Sequence, residues 1–199
     1  RSGFASVLQA EANPNSNAHE DLMQILESCK KGRNLMLNLL GFARRGKYRK
    51  ECFSICKVVS DVVDLLSHSV SRKIVLEKKL PDEDLEVHGD PTQIHHALMN
   101  VCLNAVDAVG EAGMIDVEVT SEYYHEPCFE SEEFAQLEKG EYAVVTVSDS
   151  GKGMESEVVT MAFEPFFTTK PLGEGSGLGL PMVYGTVANH GGAVSIDSL

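Results

Sequence analysis

The sequence predicts an α+β fold, a two-layer α/β sandwich preceded by a helical hairpin that forms a dimeric bundle. Three observations predict it. Three or four segments of helical period lie among four or five strand-like segments, in mixed order, over residues 47–199. Those strands alternate apolar with polar residues, which gives one face to helices and the other to solvent. Residues 1–46 read instead as two helical segments around a turn.

Phe4 to Ala12 reads as the tail of a helix, ended by the turn-rich N-P-N-S-N of Asn13 to Asn17. A long helix is predicted from about His19 to Arg45. Its apolar residues Leu22, Ile25, Leu26, Cys29, Met36, Leu39, Leu40 and Ala43 recur at three-and-four spacing, close to a heptad seam. An antiparallel hairpin of this thickness buries little by itself, so a second copy is expected to complete a four-helix bundle. Packing on its own domain is the alternative. The opening R-S-G-F-A-S-V-L is uncapped and starts in mid-pattern, which reads as a fragment of something longer.

After a short basic linker, Gly46 to Lys50, the sequence predicts an extended segment at Cys52 to Ile55, a helix from Lys57 to Val70 and a strand from Lys73 to Leu80. The turn P-D-E-D leads to a short strand carrying Leu85 and Val87. Asp90 and Pro91 then begin a helix, as N-cap and first residue, that runs through Val109. Met114 to Tyr124 alternates as a strand. Glu122 to Glu141 holds seven Glu against one Lys, a solvated hairpin insert or else a docking segment for a partner. A strand ends at Asp149, a helix spans Leu180 to His190, and Ala193 to Asp197 reads as a last strand.

Composition narrows the function. A net charge of −13 argues against nucleic acid as a partner, since phosphate contacts need clustered Lys and Arg. It leaves a nucleotide open, because a divalent cation can screen phosphates locally. Five cysteines, odd in number and with no C-x-x-C pair, point to reduced thiols in a cytoplasmic compartment and away from a zinc site. No apolar run reaches the roughly 18 residues of a membrane span, so no membrane contact is expected of this chain.

The chemistry concentrates between Val147 and His190. V-S-D-S-G-K-G-M and G-E-G-S-G-L-G-L-P flank the aromatic, threonine-rich F-E-P-F-F-T-T-K. Glycine at this density serves close backbone approach or positive φ. Asp149 ends an alternating strand beside a flexible turn, a position suited to ligand recognition, whereas a Gly-rich loop closing on a helix start suits phosphates. In the helix after Asp90, Asn100 and Asn104 stand four apart and so share a face. Two carboxamide oxygens there could hold a hard cation whose other sites are filled by phosphates and water; caps or solvent-facing side chains are the plain alternative.

Taken in order, the Asn100 to Ala108 segment, D-S-G-K-G-M, F-E-P-F-F-T-T-K and G-E-G-S-G-L-G-L resemble the catalytic ATP-binding domain of sensor histidine kinases. That domain belongs to a superfamily shared with DNA gyrase B, Hsp90 and MutL, with a Bergerat-type ATP-binding fold. The resemblance covers Lys50 to Leu199, and the hairpin before it looks like the family's dimerisation and phosphotransfer module.

The resemblance implies ATP and Mg2+ as cofactors. It makes Asp149 the acceptor for the adenine amine, with Gly151 and Gly153 letting the backbone pass the purine. Asn104 would ligate Mg2+, and Asn100 would support the metal shell and the catalytic step. Asp107 stands where some kinases of the family have Lys, which leaves a water-mediated role near the metal. Phe163, Phe166 and Phe167 would anchor a mobile lid, from which Thr168, Thr169 and the catalytic candidate Lys170 would reach the terminal phosphates. Gly175, Ser176, Gly177, Leu178 and Gly179 would line those phosphates, helped by the start of the Leu180 helix.

The implied reaction moves the ATP γ-phosphate to a histidine upstream of this chain, for relay to an aspartate on a response-regulator receiver domain. His19-Glu20 has the right dipeptide but lacks the downstream proline, so it reads as a surface histidine. His95, His96 and His190 have no metal-like spacing. Two further classes stay open. An ATP-gated conformational ATPase would carry Glu four residues before the metal asparagine, where Asn100 stands; a pseudokinase scaffold would bind ATP without transfer.

Overall fold

The computed structural model of the chain describes residues 50–125, 128–131, 134–171 and 175–198, together with His19. The chain divides into two compact units, one of Arg45–Thr168 with Gly177–Leu199, the other of Arg1–Arg44 with Thr169–Ser176. In the second, His19 is helical, as expected at the start of the long helix; the rest of the predicted hairpin lies outside the described residues.

The first unit carries, in order, β1 (Glu51–Ser54), α1 (Ile55–Ser67), β2 (Ile74–Lys79), β3 (Glu86–Gly89), α2 (Pro91–Val109) and β4 (Gly113–Tyr124). After these come β5 (Cys128–Ser131), β6 (Phe134–Leu137), β7 (Gly140–Asp149), α3 (Ser156–Met161) and α4 (Gly179–Asn189). The main sheet has the order β2-β4-β7, with β2 parallel and β7 antiparallel to the central β4. Two smaller antiparallel pairs, β1-β3 and β5-β6, complete the strands.

Alternation decides which face is core. In β4, Ile115, Val117 and Val119 are buried while Glu118 between them is exposed. The inward residues meet Ile55, Val59, Val62, Val63 and Leu66 of α1 and Cys102 and Ala105 of α2, spaced as one helical stripe requires. On the outer face Val75 and Met114 are register partners and both exposed. The Lys78 ammonium reaches the Asp64 carboxylate at 2.8 Å and ties β2 to α1. This is the predicted two-layer arrangement, with one covered face and one open.

The first helix, the short α3 and the last predicted strand differ from expectation. The first helix starts at Ile55 because the Ser54 hydroxyl caps it, accepting from Lys57 N–H at 3.0 Å while donating to Asp84 at 2.6 Å. It ends at Ser67, where Ser69 and Val70 N–H both turn back onto the Leu66 carbonyl. α3, a six-residue helix without a side-chain cap, is too short to show a period. Ala193 to Asp197 forms no strand. Val194 and Ile196 are half-buried and Ser195 and Asp197 exposed, the predicted alternation, yet no ladder forms. Just beyond it a side chain makes a tie instead, the Ser198 hydroxyl accepting from Met154 N–H at 2.7 Å. The acidic insert forms the predicted hairpin, β5-β6, while β4 and β7 pair directly out to Tyr124 and Gly140.

Candidate functional site

α2 is the element on which the site is built. Asp90 caps its start, its carboxylate accepting from Thr92 N–H at 3.0 Å and Gln93 N–H at 3.3 Å, and Pro91 occupies the first turn, where no donor is lost. Gly110, at φ 75°, ends it, with its N–H donating to Val106. Cys102 and Ala105 face the core, which turns Asn100 and Asn104 away from it and leaves both half-buried, while Ala97, also buried, lies on the asparagines' side of the helix. Burial pushes the Cys102 thiol up to about 11, so this cysteine is an inert part of the core.

Gly179, the first residue of α4, lies against both asparagines. A Cβ on it would sit 3.8 Å from Asn104 Nδ2 and 3.9 Å from Asn100 Oδ1. The carboxamide pair and the end of the second glycine cluster therefore meet in one place. Leu178, at the N-cap, is buried and has no side-chain acceptor for the helix donors. Pro181 and Val183 are buried on the same helix, and Tyr184 packs its ring against Phe163, with centroids 6.0 Å apart.

Asp149 occupies the end of β7, as expected; it is in phase with the inward Val145 and Val147 yet exposed, because the strand ends there. The β4-β7 ladder continues one step past it: Ser150 N–H donates to the Met114 carbonyl at 3.0 Å, and Met114 N–H donates to the Ser150 hydroxyl at 2.9 Å. The Asp149 carboxylate accepts from Gly151 N–H at 2.8 Å, an Asx turn. A Cβ on Gly151 would lie 2.6 Å from the Ala108 carbonyl carbon, and Lys152 N–H donates to the Ala108 carbonyl at 3.3 Å. The close approach made by Gly151 is thus to α2 itself. Gly153, at φ 65°, supplies the left-handed residue of the turn.

Asn100, Asn104, Asp149, Gly151 and Gly179 thus gather along α2 in the larger unit. Asp107 is exposed on the same helix, and Thr168 is exposed beyond α3. Thr169, Lys170, Gly175 and Ser176 fall in the other unit, where Lys170 and Gly175 are half-buried and Thr169 and Ser176 exposed. Sequence reasoning missed His190 and Gly89. The His190 ring accepts from Asp90 N–H at 2.9 Å through Nε2 and reaches the Thr186 carbonyl at 2.7 Å through Nδ1. A Cβ on Gly89 would overlap that ring. The available signal was the pairing of glycine with the cap at Gly89-Asp90.

Among the described residues no cluster of three or more His, Cys, Asp or Glu could hold a metal unaided. The donor type offered by Asn100 and Asn104, neutral carboxamide oxygen, fits a hard cation that takes its remaining ligands from phosphate and water. No helix among the described residues is long and apolar enough to cross a membrane.

Comparison with known proteins agrees with this geometry. Residues 89–199 match the family model of histidine kinase-, DNA gyrase B- and HSP90-like ATPases. The sensor kinase CckA of Brucella abortus (strain 2308) is 33% identical over 180 residues, 89% of this chain and 19% of that protein. The sensor histidine kinase ZraS of Escherichia coli (strain K12) is 27% identical over 98% of this chain and 38% of its own length. The chain thus spans well under half of these curated relatives. The catalytic domain of histidine kinase ThkA superimposes with a TM-score of 0.57 at 26% identity, covering 71% of this chain and 82% of that one. ThkA in complex with response regulator protein TrrA matches 84% of this chain and 45% of that one, at TM-score 0.58 and 23% identity. With a carboxamide pair against a glycine-led helix and an Asp-ended strand in a chain so matched, the chain belongs to the histidine kinase-, DNA gyrase B- and HSP90-like ATPase family, as a domain like the catalytic domains of sensor histidine kinases.

Proposed function

We propose that this domain binds Mg2+-ATP along α2, with adenine at the Asp149 end and phosphates between Asn104 and Gly179, and supplies the γ-phosphate to a histidine upstream of the chain. The observation that carries this reading is the approach of Gly179 to Asn100 and Asn104. It brings two carboxamides, Asn100 through Oδ1 and Asn104 through Nδ2, to a helix start whose N-cap is Leu178, surroundings suited to a metal-bound phosphate chain.

Asp149 accepts the adenine exocyclic N–H while continuing to accept from Gly151, since a carboxylate has room for several donors. Asn104, supported by Asn100, would hold Mg2+, which when bound neutralises phosphate charge. Asp107 would reach the metal shell through water. Thr168, Thr169 and Lys170 would orient the terminal phosphate, and Gly175, Ser176, Gly177 and Leu178 would line the chain of phosphates. Positioning and charge neutralisation are the main needs of phosphoryl transfer, and these residues are of the types that supply them.

The parent is a dimer through the helical hairpin, and the phosphoryl group passes to the receiver domain of a response regulator. The complex of ThkA with TrrA supports that partner class. An ATP-using domain whose described cysteines, Cys52, Cys56 and Cys102, are free thiols suits the cytoplasm.

The test uses the parent protein with its upstream helix, incubated with γ-labelled ATP and Mg2+, and this chain beside it. Label on the parent that is lost in acid, kept in base and absent from the chain supports the reading. Label on the chain itself would make His19 the acceptor. ATP bound with no label on either would leave a scaffold.

A further inference from the structure

The geometry points to His190 as a positioning residue that locks α4 against α2 and so fixes where Gly179 meets Asn100 and Asn104. This inference rests on the phosphate-end reading of those residues. With a proton on Nδ1, the imidazole donates to the Thr186 carbonyl at 2.7 Å and accepts from Asp90 N–H at 2.9 Å through Nε2. The first bond satisfies a carbonyl in the last turn of α4. The second grips the backbone of the residue whose carboxylate caps α2. One ring therefore joins the end of α4 to the beginning of α2.

The opposite end of α4 begins at Gly179, against the two asparagines. α4 has 11 residues, about 16 Å at 1.5 Å per residue, and the part of α2 from Asp90 to the asparagines is about as long. The helices run antiparallel, with the His190 contact at one end of α4 and the Gly179 contact at the other. A slip or tilt at the His190 end moves Gly179 relative to the carboxamides. Packing leaves little slack: Gly89 has no room for a Cβ beside the ring, and a Cβ on Gly192 would meet Val187 Cγ1 at 2.9 Å. The His190 ring bonds at Asp90 and Thr186, at the far end of α4 from the asparagines, so its effect on nucleotide would come through the register of α4.

Two isosteric substitutions separate the bonds. His190→Gln keeps an acceptor where Nε2 lies, toward Asp90; His190→Asn keeps a donor where Nδ1 lies, toward Thr186. Gly89→Ala displaces the ring without altering it. The affinity of the full chain for ATP is measured by calorimetry with Mg2+ and with EDTA, and for adenosine, at a temperature where circular dichroism shows every variant folded.

The gain in ATP affinity on adding Mg2+ should fall about five- to tenfold in His190→Asn and Gly89→Ala, the scale of one lost hydrogen bond. Adenosine affinity should stay constant, and His190→Gln should retain the gain. A wild-type Mg2+ gain in His190→Asn, an equal loss for adenosine and Mg2+-ATP, or a Gln variant as impaired as Asn overturns the inference. If His190→Asn does not fold, Gly89→Ala decides the same question. Asn104→Ala is the control for the underlying reading. If it keeps the Mg2+ gain, that reading fails and the inference with it; if it loses the gain while the His190 and Gly89 variants keep theirs, the inference fails alone.

Discussion

Phe166 and Gly177 are joined back to back, Phe166 N–H donating to the Gly177 carbonyl at 2.8 Å, with both residues at positive φ, 71° and 62°. Phe166 is the one non-glycine residue of positive φ among those described, and the residue is 66% exposed, so packing of the ring does not explain the conformation. The backbone clip does: it ties Phe166 to Gly177, the last residue of the segment Phe163 to Gly177 expected to form the lid. A Cβ on Gly177 would overlap the Phe166 carbonyl carbon, backbone that cannot swing away. Gly177→Ala should therefore destabilise the chain by about 2 kcal/mol or more and weaken ATP binding. Phe166→Gly, which relieves the left-handed backbone and removes an exposed ring, should be tolerated. Thermal melts and ATP calorimetry on the two variants test the contrast, and equal damage from both would argue against the clip.

The turn at Asp149 allows its structural and ligand roles to be separated. Asn in place of Asp keeps an oxygen that can accept from Gly151 N–H but loses the negative charge and puts an amide donor where the adenine amine is expected. Asp149→Asn should keep the melting temperature and lose ATP affinity by about 100-fold, the scale of a hydrogen bond to a charged group. Asp149→Ala should lose affinity and also soften the turn. Calorimetry with ATP beside a melting curve reads both effects, and wild-type ATP affinity in the Asn variant would remove Asp149 from the site.

The parts legible in the sequence were those governed by local chemistry or by period. Asp90-Pro91 announces the start of α2, the Ile115, Val117, Val119 alternation announces a half-buried strand, and four-residue spacing puts Asn100 and Asn104 on one face. Less legible were features set by residues far apart in the chain. The first helix begins early because Asp84 orients Ser54 from across a loop. Ala193 to Asp197 has the alternation of a strand, but alternation predicts which side chains are buried and says nothing about whether a neighbouring backbone offers a ladder. His190 looked idle because its partner, Asp90, is a hundred positions away. At Gly151 the purine was the expected neighbour, whereas the close approach in the structure is to Ala108 of α2: glycine density signals a close approach without telling a ligand from the protein's own helix.

That ambiguity at Gly151 can be put to experiment. A Cβ there would meet the Ala108 carbonyl carbon at 2.6 Å and the Ala108 Cβ at 2.7 Å, both on α2. Gly151→Ala should push the turn off the helix and break the Lys152 N–H bond to Ala108, at a loss of about 1–3 kcal/mol. The loss should appear in urea melts with no nucleotide present. A variant with wild-type stability and impaired ATP binding would instead assign the close approach to the purine.

Cys102 gives the chain a dependence on alkaline pH. Its thiol is almost fully buried between α1, α2 and β4, and desolvation raises it from about 9 to about 11. The folded state therefore keeps its proton after the unfolded chain has released it. Below pH 9 the full contribution is present; between about pH 9 and pH 11 the unfolded state binds fewer protons, so stability falls as pH rises. The slope from this single group approaches about 1.4 kcal/mol per pH unit. Cys102→Ala removes that slope while lowering stability at neutral pH by the loss of a packed side chain. Urea melts from pH 8 to pH 11, wild type against variant, should show two curves that converge as pH rises. Parallel curves would mean that the thiolate is accommodated in the folded core and that Cys102 does not govern the alkaline limit.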